Sequence, residues 1–314
     1  VMQQPNAVET IQTILNLLLL RGDLGRPGAG VCPVRGHSNV QGDRTMGICE
    51  RMPDGWLDRL DAEFAMKSPR EHGLDTVDTI HAMHDGRVKV FFALGGNFLS
   101  ATPDTEFTAA ALRRCTLTAH VSTKLNRSHL VTGRTALILP CLGRSERDAQ
   151  AGGEQFVTVE DSMGIINPSR GKLAPASAHL LSEPAIVCRL AQAVFEVGRV
   201  SDPPSKKQSA KGQVKDQPYS HWQSFESNYD LIRDRISRVV PEFEDYNRRI
   251  REGIFHLPNA PRDRREWRTA TKRANFIVAP IPQFWAHRDR RAVACEASAE
   301  QAEFVMMTIR SHDQ

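Results

Sequence analysis

Between Gly22 and Gly47 the chain reads GDLGRPGAGVCPVRGHSNVQGDRTMG, with seven glycines in 26 residues against 21 in all 314. Backbone of that density adopts positive φ or lets another group approach very closely. Set among the glycines are Arg35, His37, Asn39 and Gln41. A guanidinium presents a rigid fork of donors to a carboxylate or phosphate, an imidazole exchanges a proton near neutral pH, and carboxamides both donate and accept. Val31, Val34, Val40 and Met46 give the stretch apolar anchors that a Ser/Gly/Lys linker lacks. It reads as an ordered loop that contacts a ligand.

The elements around it must position that loop. VKVFFAL, residues 88–94, reads as a strand buried on both faces, ending at Gly95, Gly96 and Asn97. Thr102 and Pro103 open a helix to about Arg114, with the proline at the first helical position. Residues 116–121 make a second strand, followed by Ser122, Thr123 and Lys124 and a short helix through Leu130; residues 136–140 make a third. The order βαβαβ predicts an α/β fold with a parallel sheet. Ligands of such sheets lie beyond the carboxyl ends of the strands, here Gly95 to Asn97, Ser122 to Lys124, and Pro140 onward. No GxGxxG follows a strand, so an ordinary dinucleotide fingerprint is absent. Strand ends that simply turn are the competing reading.

Elsewhere, Asn6 with Glu9 has the form of a capping box ahead of an apolar stripe, Val8, Ile11, Ile14, Leu15 and Leu18. Residues 183–197 and 229–240 read as helices, and 201–218 as a linker or surface excursion. Residues 248–291 hold 12 Lys/Arg against four Asp/Glu, a run that commonly forms a solvated face. The whole chain carries a formal charge of only +4, too balanced for a dedicated nucleic-acid binder. Its longest aliphatic run, Leu17 to Leu20, is far too short to span a membrane. Six scattered cysteines without a CxxC pair read as reduced, mostly buried thiols, which favours the cytoplasm. His120 and His129 read as ordinary structural histidines, and Ser145, Glu146 and Asp148 as a charged loop.

Four ordered blocks together resemble one family. They are the NAVETIQTILNLLLLRGDLGRPGAGVCPVRGHSNVQGDRTMG stretch, VKVFFALGGNFLSATPD, ALILPCLGRSERD with EQFVTVEDSMGIINPSRG behind it, and RTATKRANF leading to MMTIRSHDQ. The chain resembles part of the catalytic subunit of molybdopterin oxidoreductases, in the formate dehydrogenase alpha-subunit-like branch. The resemblance implies a middle piece: 1–200 a partial α/β domain binding molybdopterin guanine dinucleotide, 201–220 a linker, 221–299 a basic connecting region, and 300–314 the start of a β-rich carboxy-terminal cofactor domain. It implies a bis-molybdopterin guanine dinucleotide with molybdenum or tungsten, and a 4Fe-4S cluster in a region before Val1. No metal ligand is expected within this stretch. Formate or a similar small molecule is the implied substrate, with an electron-acceptor protein or cofactor as partner.

By position, the resemblance makes Arg35 the active-site arginine and puts His37 where better-known formate dehydrogenases commonly have glutamine. Gly36, Asn39, Gln41 and Gly42 would continue the loop along the cofactor. Gly95, Gly96 and Asn97 would approach its phosphates or sugar, beside Ser122, Thr123 and Lys124; Arg310, Ser311 and His312 would begin a further cofactor motif. Asp104 is equally well explained by the helix dipole. Two rivals stand beside this reading: a subunit of the same fold that holds no molybdenum, and a polyanion binder using residues 248–291. Both ends of the chain read as cuts through a larger protein. Sequencing the surrounding gene is expected to show an open frame continuing on both sides; an in-frame stop codon directly before Val1 or Met2 would refute that.

Overall fold

The computed structural model of the chain describes residues 6–49, 51–200 and 221–280, with the backbone alone at 196–200. The linker expected at 201–220, Cys295, and Arg310, Ser311 and His312 lie outside the described residues. In chain order the elements are α1 (Ala7–Arg21), α2 (Val40–Thr45), α3 (Asp54–Phe64), α4 (Thr76–His84), β1 (Val90–Leu94), α5 (Phe98–Ala101), α6 (Thr105–Arg113) and β2 (Leu117–Ser122). A 3-10 turn (Arg127–Leu130), β3 (Thr135–Pro140), β4 (Ala149–Gln150), β5 (Gly153–Glu154), β6 (Val157–Glu160) and β7 (Ile165–Ser169) follow. Then come α7 (Glu183–Val200), α8 (Trp222–Ser227), α9 (Asp230–Val239), α10 (Tyr246–Glu252), β8 (Phe255–His256) and α11 (Ala260–Arg264).

Contacts divide the chain into two units. One comprises Val1–Pro33 and Pro258–Gln314. Its helix α1 forms where the apolar spacing predicts, but the capping box does not: the Asn6 side chain makes no cap bond, and Thr10 Oγ1 donates instead to the Asn6 carbonyl at 2.9 Å. The stripe has no fully buried residue, and Val8, Ile11, Ile14, Leu17 and Leu20 are exposed. Asn16 ties α1 to the distant Ile277 backbone through both its carboxamide atoms, at 2.6 and 3.2 Å.

The other unit, Val34–Leu257, carries the parallel sheet. Its order is β1-β2-β3, all parallel, with Val90 opposite Leu117 and Leu117 opposite Thr135. This is the predicted α/β architecture. The helical layer is α4, α5 and α6, whose Ile80, Met83, Leu99, Ala109, Ala111 and Leu112 form one buried cluster with Cys115. Phe91 packs against it.

The expectation that the first strand is buried on both faces is corrected. Only β2 is internal, with Thr118, Ala119, His120 and Val121 buried. Strand β1 is an edge, with Val90, Phe92 and Leu94 exposed, and every residue of β3 is exposed. A three-stranded sheet has two edges, so apolar composition alone could not reveal which strand is central.

A second correction concerns α6. It begins at Thr105, with Asp104 in the left-handed region at φ 52° and its carboxylate accepting from Phe107 N at 3.0 Å. Pro103 therefore precedes the cap, and Asp104 is explained by capping a helix.

A second core lies around a mixed set of elements. Ile166, Val239, Val240, Phe243, Tyr246 and Ile250 are buried together, with Trp56, Leu60 and Phe64 of α3 packed against them. The antiparallel sheet β6-β7-β8 provides its floor. Of the cysteines described, Cys115, Cys141 and Cys188 are buried, Cys49 is half-buried and Cys32 is exposed, all as free thiols. Met83 is fully buried between α4 and α6. Met83→Ala is expected to cost about 2–5 kcal/mol, read as a fall in the denaturation midpoint at unchanged slope.

Candidate functional site

The glycine-rich segment is partly helical: α2 takes Gln41 and Gly42 out of the loop that their neighbours suggested. Arg35, Gly36 and His37 are exposed. An Arg35 guanidinium nitrogen donates to Gln41 Oε1 at 2.8 Å, so the fork is held against the helix by its own segment. Asn39 stands at φ 64° just before α2, a conformation that asparagine tolerates better than most side chains. Its Oδ1 accepts from Glu160 N at 2.9 Å, 121 residues away, and its Nδ2 donates to Asp43 Oδ1 at 3.2 Å. A Cβ on Gly42 would lie 2.1 Å from Asn39 Oδ1, so only glycine leaves room for that bond.

The turn after β1 is equally braced. Gly95 and Gly96 both have positive φ, 74° and 78°. Gly95 N is already committed to the Val121 carbonyl at 2.8 Å. A Cβ on Gly96 would meet nothing within 4 Å among the described residues, which leave the space in front of it open. Asn126 Nδ2 donates to the Gly96 carbonyl at 2.9 Å, while Ser128 Oγ donates to Asn97 Oδ1 at 3.1 Å and accepts from Leu99 N at 3.0 Å. Ser122 Oγ donates to the Lys124 carbonyl at 2.6 Å, which shapes the turn after β2, and the Lys124 side chain is exposed there.

His129 closes a capping box by accepting from Asn126 N on Nδ1 at 2.9 Å. Its ring lies 5.1 Å from that of His120, and among the described residues the buried Nε2 atoms of both have no hydrogen-bond partner. Burial, with His129 alongside, holds His120 below its ordinary value and favours the neutral ring.

A cleft of about 680 Å³ gathers the carboxyl ends of the outer strands. Leu94 ends β1, and Leu142, Gly143 and Arg144 follow β3; all four line the cleft, as do Asn39 and Met46 on either side of α2. Its remaining wall mixes aliphatic and polar residues with five aromatic ones, Trp56, Phe64, Phe156, Trp222 and Phe225. The turns beside it are close: the missing Cβ of Gly95 would sit 3.8 Å from Glu183 Oε1, and that of Gly143 4.0 Å from Thr123 Cγ2. A smaller cavity of about 270 Å³ is lined by Asn39, Gly42, Thr158, Glu160, Arg233 and Tyr246.

The structure thus brings Asn39 and Gly42 to cavities and sets Gly95 and Thr123 at a cleft edge. It leaves Arg35 and His37 on the surface. Among the described residues, no group of three or more His, Cys, Asp and Glu is arranged to hold a metal ion, and no helix is long and apolar enough to cross a membrane.

Residue patterns did not disclose the clamps around the cleft. Glu146 accepts from Gly143 N and Ala176 N, both at 2.6 Å, which holds its carboxyl below the usual range. Asp148 accepts from the Tyr229 hydroxyl at 2.6 Å, and that hydroxyl also meets Ser182 Oγ at 2.5 Å. These residues read as a charged loop because their partners come from distant parts of the chain. Asn126 and Ser128 did leave a signal, the Asn-x-Ser of a local side-chain turn. In the basic run, Arg248 pairs with Asp245 and Glu252, Arg262 with Asp263, and Arg264 with Glu266, as a solvated face does.

No family model matches the chain. Over 99% of its length it is 52% identical to an uncharacterized oxidoreductase of Mycobacterium tuberculosis, covering 36% of that protein. It is 42% identical to protein YdeP of Escherichia coli K12, again over 99% of this chain and 37% of the relative. A shorter match, 36% identity over 30% of the chain, is to YrhE of Bacillus subtilis, provisionally named a formate dehydrogenase. The chain spans little more than a third of the length of the first two relatives. Two of these three relatives carry names for redox enzymes, an oxidoreductase and a formate dehydrogenase.

Gly42→Ala is expected to expel the Asn39 side chain, cost about 1–3 kcal/mol and speed hydrogen exchange at the amides of 40–46. Unchanged exchange there would contradict the anchoring described.

Proposed function

We propose that the chain is part of a molybdenum-dependent, formate dehydrogenase-like oxidoreductase that performs two-electron, proton-coupled redox on a small substrate. The observation that carries this reading is the cleft itself: it joins strand carboxyl ends, where α/β sheets take ligands, to the flanks of the arginine segment. A bis-molybdopterin guanine dinucleotide would supply the electron chemistry when bound. The residues present fit such a group. Among the described residues the face of Gly96 is open to a phosphate, exposed Lys124 offers a cation, and the aromatic side chains of the cleft suit a fused ring.

Arg35 would orient a substrate carboxylate through a charge-assisted fork and stabilise charge as electrons leave. His37, an imidazole two residues away, would move a proton near neutral pH. Gly36, Gln41 and Asn97 would shape the pocket. Arg310, Ser311 and His312 remain candidates for the further cofactor motif. The 4Fe-4S cluster, the metal's protein ligand and the electron acceptor would belong to other parts of the longer protein.

The second reading, a subunit of the same fold without molybdenum, makes a different demand. A purely structural segment has no need of an exposed arginine fork. The deciding measurement is metal content of the protein from the complete reading frame, expressed with molybdate. Near-stoichiometric molybdenum is expected; absence of it, and of tungsten when supplied, would favour the structural reading. In the same protein Arg35→Ala is expected to keep the metal and lose most turnover, with formate assayed first, and full turnover would sink the assignment.

A further inference from the structure

Among the described residues the parallel sheet has a helical layer on one face only. Phe91 packs into the cluster of α4, α5 and α6, so by alternation Val90, Phe92 and Leu94 point the other way. The register carries that second face across all three strands in apolar rows. Phe92 lies opposite Ala119 and Ala119 opposite Leu137; Leu94, Val121 and Leu139 make the next row. Ala119 and Val121 are buried, but Phe92 is 39% exposed, Leu137 45% and Leu139 42%. None of the six side chains is polar or ionisable.

Parallel sheets occur almost only where both faces are covered, because their crossovers lay helices on each side. The helices of this unit are committed elsewhere. Helices α4, α5 and α6 occupy the opposite face, α3, α9 and α10 serve the second core, and α7 stacks Phe195 on Trp222 of α8. A strand added at the edge of β3 would satisfy backbone groups there and still leave Phe92 and Leu94 bare.

The dimensions select the cover. The outer strands of a three-stranded sheet lie about 10 Å apart, and a strand the length of β1 runs about 17 Å. One helix is about that wide, and about 11 helical residues are that long. The source is given by length: this chain covers only 36% and 37% of the two relatives that match it end to end, so most of the longer protein lies outside it.

We propose that the bare face of the parallel sheet seats an amphipathic helix from the part of the longer protein outside residues 1–314. That helix lies along the strands and sets an aliphatic stripe, spaced i, i+3, i+4 and i+7, against Phe92, Leu94, Leu137 and Leu139. Its contact surface is uncharged, since the face offers no partner to a buried charge. The proposal rests on the reading that the chain is part of a longer protein, and is independent of the metal.

The test uses the protein of the complete reading frame. Fast hydroxyl-radical labelling of the wild type reads leucine exposure without any substitution. Leu137 and Leu139 should lose their labelling, down to the level of the buried Leu112. Labelling near the level of the same leucines in urea overturns the proposal. In a second measurement Phe92 is replaced by the photo-crosslinker p-benzoylphenylalanine, in a mixture of isotopically heavy and light copies. Crosslinks should join position 92 to one helix-length stretch outside 1–314 of the same copy, at three- and four-residue spacing. Crosslinks to residues within 1–314, between heavy and light copies, or to nothing overturn it. If that variant fails to fold, Leu139→p-benzoylphenylalanine probes the same face, and the wild-type labelling decides in any case. Metal content is read on the same samples: a covered face in protein that takes up neither molybdenum nor tungsten removes the redox reading and leaves this one intact.

Discussion

The Asn39 carboxamide ties the arginine segment to a distant strand of the scaffold. Helix α2 has six residues, too few to be stable alone. Asn39 fixes its start by accepting from a backbone amide 121 positions away, in a left-handed conformation that costs energy to hold. One such bond contributes only about 0.5–1.5 kcal/mol net, so the geometry survives because neighbouring contacts agree with it. The buried Gly42 makes space, Asp43 takes the other end of the carboxamide, and Met46 packs toward the aromatic core. Where Arg35 sits depends on that agreement.

The turn after β1 solves a related problem by another route. It keeps two glycines at positive φ and leaves the face of the second bare among the described residues, yet it is braced. Asn126 and Ser128 achieve this from the side, gripping a carbonyl and a side chain and leaving the space in front of Gly96 open. Fixed dipoles around an open space are what a phosphate or a developing charge needs, since none has to reorient when the ligand arrives.

The parallel sheet was legible because its signals are local. Apolar runs of strand length, each followed by glycine or polar residues and then a helical pattern, leave few alternatives to βαβαβ. The arginine segment was legible for the same reason, through glycine density. Positions set by distant partners were not. Edge and centre strands look alike in composition, so the apolar run of β1 reads as buried from sequence. Pro103 and Asp104 both signal a helix start, and the carboxylate that could cap Phe107 N decided the boundary. Glu160 is buried at the end of β6, where the alternation of Val157, Thr158 and Val159 would put an exposed polar residue. The cleft draws its wall from α3, α8 and α9, whose meeting point is a property of the folded chain alone.

Strand β3 has a consequence for anyone who handles this polypeptide. Leu137, Ile138 and Leu139 are all exposed, on a strand whose outer edge has no strand partner among the described residues. Natural proteins cover such a strand or interrupt it with charge, and ALILP carries none. Produced alone, the chain would offer copies of itself a template for sheet growth and offer chaperones and proteases a ready recognition segment. Yield and solubility would then depend on a five-residue run remote in sequence from the arginine segment.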